Sequence, residues 1–172
     1  RLNTILPLLV SDCQSGFIRH RQAHDNARLA VQIMDVAEKT KTKTVLLSLD
    51  AEKAFDRVDW QYLKLVLAKT GLGPNMISYI MANYQHPKAQ IRVNVSMSAP
   101  LSLSRGTKQG CPLSPLIFAL SMETLVYHIE SNPDIRGMEV GRGESIQINT
   151  YADDVLCFLT EPEISLPPLL QE

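Results

Sequence analysis

The strongest constraint lies in residues 148–159, Ile148-Asn149-Thr150-Tyr151-Ala152-Asp153-Asp154-Val155-Leu156-Cys157-Phe158-Leu159, where two adjacent carboxylates separate two apolar, strand-like runs. Aspartate is a poor strand former, so the pair marks the turn of a β-hairpin. Adjacent carboxylates repel, and burying them unpaired is expensive. A fold keeps such a pair only in a solvated turn or beside a neutralising cation. Oxygen-only ligands select a hard ion, Mg²⁺ or Mn²⁺. An ordinary exposed hairpin carries the same pattern, so these residues alone leave both readings open.

A second acid sharpens the choice. Thr44-Val45-Leu46-Leu47-Ser48-Leu49-Asp50 is a β-branched and leucine run ending on a carboxylate. It predicts a buried strand with Asp50 at its exit. If this strand pairs beside the hairpin, Asp50 and Asp153 face each other across one cleft. Carboxylates from separate strands can hold two divalent ions about 3.5–4 Å apart, the spacing used for in-line phosphoryl displacement.

A chain of 172 residues is one domain's worth of sequence. With 45% hydrophobic and 20% charged residues it can build a real core. A net charge of −1 argues against a generally basic nucleic-acid binder. Arg19-His20-Arg21 with Arg28, and Lys39, Lys41 and Lys43, remain as local basic clusters. Cys13, Cys111 and Cys157 lie far apart, which argues against a zinc site or a disulfide framework and for an intracellular setting. No apolar run approaches the roughly 20 residues of a membrane span. The chain starts on Arg1 without a signal-peptide pattern, as expected of an excerpt from something longer.

Periodicity lays out the rest. Residues 1–10 carry apolar side chains at helical spacing, and 11–20 read as a loop. Residues 22–39 predict a helix with Ala23, Ala27, Ala30, Val31, Met34 and Ala37 on its apolar face. Residues 56–69 predict another, striped by Trp60, Leu63, Val66 and Leu67, and Pro74 opens a third. Residues 89–95 alternate as a half-buried strand, with 101–104 as its partner. Ser114-Pro115 predicts a helix start, with Leu116, Ala119, Leu120, Glu123, Thr124 and Tyr127 on one side. Residues 135–140 and 145–150 predict strands joined by Gly141-Arg142-Gly143-Glu144. The domain is expected over 1–160. Pro162, Pro167 and Pro168 predict a frayed tail over 161–172.

Three segments then fall in a telling order: Leu49-Asp50-Ala51-Glu52-Lys53-Ala54-Phe55-Asp56, Arg105-Gly106-Thr107-Lys108-Gln109-Gly110-Cys111-Pro112-Leu113-Ser114-Pro115, and Tyr151-Ala152-Asp153-Asp154. They resemble motifs A, B and C of a reverse transcriptase palm. Their wording is most similar to the LINE-type (non-LTR) retrotransposon branch. Gln14-Ser15-Gly16-Phe17, with Arg21 and Asp25-Asn26, resembles the segment preceding motif A. Group II intron and telomerase-type relatives share the palm, but Lys53-Ala54-Phe55-Asp56 favours the LINE branch.

The resemblance implies an α+β polymerase palm, an antiparallel sheet with helices packed on one face, plus part of the fingers. It implies Asp50, Asp153 and Asp154 as catalytic carboxylates that hold two Mg²⁺ ions (Mn²⁺ as a substitute), with the Ala51 carbonyl as a further ligand. Phe55 would lie under the incoming sugar and exclude a 2′-hydroxyl. Gln109 and Gly110 match residues near the nascent base pair, Tyr151 would support the primer end, and Ala152 would leave space above the sugar. Arg21, Arg105 and Lys108 would contact template or phosphate. The implied reaction is extension of a DNA primer on an RNA template by deoxynucleoside triphosphates, in the nucleus, within a longer retroelement polyprotein and without a membrane. The family's first fingers motif and its later lysine motif and thumb have no counterpart here, and no Lys or Arg follows Asp154. The alternative is a catalytically inactive retroelement remnant that at most binds nucleic acid.

Overall fold

The computed structural model describes residues 2–141 and 143–171. In chain order the elements are α1 (Leu2–Ile5), α2 (Ala23–Thr40), β1 (Thr44–Asp50), α3 (Ala54–Arg57), α4 (Trp60–Lys69), α5 (Pro74–Ala82), β2 (Lys88–Ala89), β3 (Arg92–Val93), β4 (Ser96–Met97), β5 (Leu101–Ser102), α6 (Ser114–Ser131), β6 (Met138–Gly141), β7 (Glu144–Ile146), β8 (Ile148–Tyr151), β9 (Asp154–Thr160) and α7 (Pro162–Leu169).

The central sheet is antiparallel in the order β1-β9-β8. Strand side chains alternate between faces, and β9 uses both. Val155, Cys157 and Leu159 pack with Val126 and Ile129 of α6. Leu156 and Phe158 pack on the other face with Leu29, Ile33 and Val36 of α2 and Met138 of β6. The α+β class stands, with α2 adding cover to the second face. Helix α6 joins the sheet to the rest of the molecule. Its first half, Ile117 to Leu120, lies in a cluster with Leu6, Val10, Leu63, Leu67 and Ile80. A helix apolar all round is buried, so no single stripe describes α6. Tyr127, expected on that stripe, is 66% exposed.

Other expectations change for physical reasons. On α2 the fully buried residue is Ile33, while Val31 and Met34 face solvent. The helix expected over 56–69 is two helices, because the Asp59 carboxylate accepts from the Gln61 and Tyr62 amides at 2.8 and 2.9 Å and caps α4. Strand β1 lies at the sheet edge, and Val45, Leu46 and Leu49 stay exposed rather than buried. The expected strand over 89–95 is divided. Asn94 takes φ +53° and turns β3 back onto β4, while β2 pairs with β5. Ile91, Val93 and Val95 are exposed.

The expected frayed tail is instead a docked helix. Pro162 suits the first turn of α7. Fully buried Ser165 accepts from the Arg136 amide at 3.1 Å and donates to the Thr160 carbonyl at 2.7 Å. Leu166 and Leu169 join the cluster of Ile129 and Ile135. Among the described residues no helix is long and apolar enough to cross a membrane.

Candidate active site

Tyr151 and Asp154 are cross-strand partners, so Ala152-Asp153 forms a two-residue hairpin turn between β8 and β9. The β1–β9 register ends with Asp50 opposite Asp154. Cross-strand partners share a face, with Cβ atoms about 4.5–5.5 Å apart. Asp50 and Asp153 are expected across one cleft; the register pairs Asp50 with Asp154 and sets Asp153 next to it in the turn. Asp50 and Asp154 are exposed and Asp153 is half-buried. Among the described residues none of these carboxylates has an ion-pair partner.

The turn is held from outside the hairpin. Ala152 sits at φ +58°, a left-handed conformation that costs an L-residue roughly 1–2 kcal/mol. Buried Gln14 reaches it from 138 residues upstream. Gln14 Oε1 accepts from the Ala152 amide at 3.0 Å and from the Gly16 amide at 2.8 Å, and Nε2 donates to the Ala152 carbonyl at 3.3 Å. The approach needs a glycine, since a Cβ on Gly16 would stand 2.1 Å from the Ala152 nitrogen. The Thr150 carbonyl accepts from the Ser15 amide at 3.0 Å and from Asn26 Nδ2 at 3.0 Å, and the Thr150 amide donates to the Cys13 carbonyl at 2.9 Å.

Arg21 is placed differently from the expectation of a template or phosphate contact. Its guanidinium donates to the carbonyls of Ser11, Gln14, Pro7 and Val10 and to the Asp12 carboxylate. Donors spent this way brace the loop. The brace includes Gln14 itself.

Motif B docks on the segment that follows Asp50. The Thr107 amide and hydroxyl donate to the Phe55 carbonyl at 2.7 and 3.2 Å. The Gly106 amide donates to the Val58 carbonyl at 2.8 Å, and Trp60 Nε1 donates to the Gly106 carbonyl at 2.8 Å. Gly106 has φ +92°, and a Cβ there would meet the Asp56 carbonyl oxygen at 2.8 Å. Gln109 Nε2 donates to Asp56 Oδ1 at 3.4 Å. Arg105, Lys108, Gln109 and Gly110 are all exposed on this loop. Arg105, Lys108 and Gln109 line a cleft of about 1050 Å³ together with Asp56, Trp60 and Tyr84. Phe55 stacks on Phe118 with centroids 4.2 Å apart, and Phe17 meets it edge-on at 6.1 Å. The Cys111 thiol is held below its usual range, chiefly by the Leu113 amide, with Ser114 and the Lys108 charge assisting.

Over residues 1–172 the sequence matches the family described as "Reverse transcriptase (RNA-dependent DNA polymerase)". The chain belongs to this family. It is similar to the transposon TX1 149 kDa protein of Xenopus laevis, 33% identical over 91% of this chain and 12% of that protein. The Pol polyprotein of the R2 element of Popillia japonica is 34% identical over 77% of this chain and 18% of the polyprotein. That of R2DM from Drosophila melanogaster is 27% identical over 92% and 15%. The chain thus spans less than a fifth of the length of these curated relatives. The structure of apo telomerase from Candida tropicalis, truncated from its C-terminal domain, covers 99% of this chain with TM-score 0.70. This chain covers 35% of that one at 15% identity, so the likeness speaks to the fold.

Reverse transcriptases generally use divalent metal ions. Among the described residues no three Asp, Glu, His or Cys side chains close into a ready-made cage. Mg²⁺ does not require one, since it commonly takes one or two carboxylates together with substrate phosphates. Asp50 beside Asp154, with Asp153 in the adjoining turn, is an oxygen-only donor set of that kind. The acids and the motif B loop lie in short contiguous motifs, whereas the hold of Gln14 on the turn and the latch of Thr107, Gly106 and Trp60 between motifs A and B join residues far apart in sequence. The one local signal was Gly16 inside the upstream loop.

Proposed function

We propose that this reverse transcriptase domain extends a DNA primer on an RNA template with deoxynucleoside triphosphates, as the palm of a retrotransposon polyprotein that works in the nucleus. The observation that carries this reading is Asp50 in register with Asp154 beside the Asp153 turn, which gathers three carboxylates at one end of the sheet. Asp50, Asp153 and the Ala51 carbonyl would hold two Mg²⁺ ions, with Asp154 completing the acidic cluster. Bound ions of this kind lower the pKa of an attacking hydroxyl and neutralise a departing pyrophosphate.

The chain's own residues do the positioning. Phe55, backed by Phe118, forms a floor that leaves no room for a 2′-hydroxyl. Ala152 is small and keeps the space above the sugar open. Exposed Tyr151 supports the primer end. Gln109 and Gly110 meet the nascent pair, and Arg105 and Lys108 contact template or phosphate. Catalysis is then mostly orientation and charge stabilisation.

The test is Mg²⁺-dependent primer extension on an RNA template, run on the complete reading frame. Asp50→Asn and Asp153→Asn are each expected to lower extension at least about a hundredfold. Extension that survives both substitutions, or is missing from the unmutated protein with either Mg²⁺ or Mn²⁺, refutes the proposal and leaves the inactive remnant.

A further inference from the structure

One side-chain amide engages the peptide groups on both sides of Ala152. Gln14 is 1% exposed and uses both ends: Oε1 accepts from the Ala152 amide at 3.0 Å, and Nε2 donates to the Ala152 carbonyl at 3.3 Å. That carbonyl belongs to the peptide leading into Asp153. Arg21 donates to the backbone carbonyl of Gln14 at 2.7 Å, and the Gly16 amide donates to its Oε1 at 2.8 Å, so both the backbone and the side chain of Gln14 are anchored. The turn it grips is in a left-handed conformation that an alanine does not hold readily. We propose that Gln14 is a positioning residue for polymerisation, its amide fixing the Ala152 turn so that Asp153 is presented beside Asp50 and Asp154. This rests on the polymerase reading above. Gln14 touches no reacting atom. It acts through the backbone of its neighbour.

A small displacement of a catalytic group, on the order of 1 Å, can lower a rate about a hundredfold. Gln14→Met keeps the length and removes both hydrogen-bonding ends. In the complete reading frame, kcat at saturating Mn²⁺ is expected to fall at least about tenfold, with KM for primer–template little changed. Mn²⁺ titration followed by electron paramagnetic resonance should show weakened binding without any assay of turnover. Ser165→Ala, which removes a buried hydrogen-bonding side chain from α7, serves as the stability control and should lower Tm while leaving kcat unchanged. If Gln14→Met does not fold, Gln14→Asn takes its place, because it stays neutral and polar but is one methylene too short to hold both groups of Ala152.

Wild-type kcat and Mn²⁺ binding in the Gln14 variant, or equal kcat losses in Gln14→Met and Ser165→Ala at matched Tm, overturn the inference alone. An unmutated protein that neither extends primers nor responds to Asp153→Asn defeats the polymerase reading, and this inference with it.

Discussion

Phe55 is asked to do two things with one ring. It stacks on Phe118 against the core cluster, and under the proposed function it is also the floor beneath the incoming sugar. Phe55→Val should therefore have two separable effects. Loss of the stack should destabilise the fold by about 1–3 kcal/mol, read by thermal unfolding. The vacated floor should admit ribonucleotides, read as the ratio of ribo- to deoxynucleotide incorporation. A lower Tm with unchanged sugar choice would make Phe55 a core residue only. The cysteines separate in the same residue-by-residue way. Burial pushes the Cys13 thiol up to about 12 and the Cys157 thiol up to about 11, whereas the Leu113 amide pulls Cys111 down. A lowered pKa places more thiolate at a given pH, and thiolate is the reactive form. Iodoacetamide near neutral pH is expected to label Cys111 first, checked by peptide mass mapping. Labelling of Cys13 or Cys157 in the folded protein at a comparable rate would contradict it.

At the scale of elements, legibility depended on whether the cause was local. The expected strand over 44–50 matches β1, because one apolar run ends sharply on Asp50. Ser114-Pro115 placed the start of α6, because a proline in the first turn is a local signal. Residues 161–172 failed for the opposite reason. Three prolines argue against a helix locally, yet α7 forms because its start and its buried face find partners far away in sequence. Arg136 and Glu161 pair at its start, and Lys43 pairs with Glu163 in its first turn. Exposed pairs of this kind contribute little. The buried Ser165 hydroxyl carries more, since removing it strands the Arg136 amide and the Thr160 carbonyl. Ser165→Ala should cost about 1–3 kcal/mol, measured by denaturant unfolding. A change within a few tenths would show that α7 is held by Leu166 and Leu169 alone.

At the scale of the whole molecule, the acids were readable because they sit in two short motifs, while the brace on them joins residues 138 apart. The loop that carries Gln14 rests on α6 through a second acidic group. Glu123 Oε1 accepts from the Ser11 amide at 3.0 Å and the Ser11 hydroxyl at 2.6 Å, and its other oxygen is buried with no partner among the described residues. Glu130 lies one heptad further along α6, and its pKa is raised, first by desolvation and then by the Glu123 charge. A carboxyl whose folded pKa lies above its unfolded value binds its proton better in the native state. Its contribution is complete below the unfolded pKa and is lost as pH rises through the folded one. Glu130→Gln, neutral at every pH, should therefore be more thermally stable than the parent near neutrality. That advantage should shrink as pH falls through the carboxylate range. Melting curves of both proteins across mildly acid to neutral pH decide the matter. A Tm difference that stays constant with pH would mean that Glu130 titrates alike in the folded and unfolded chains, and that the support under the Gln14 loop is indifferent to its charge.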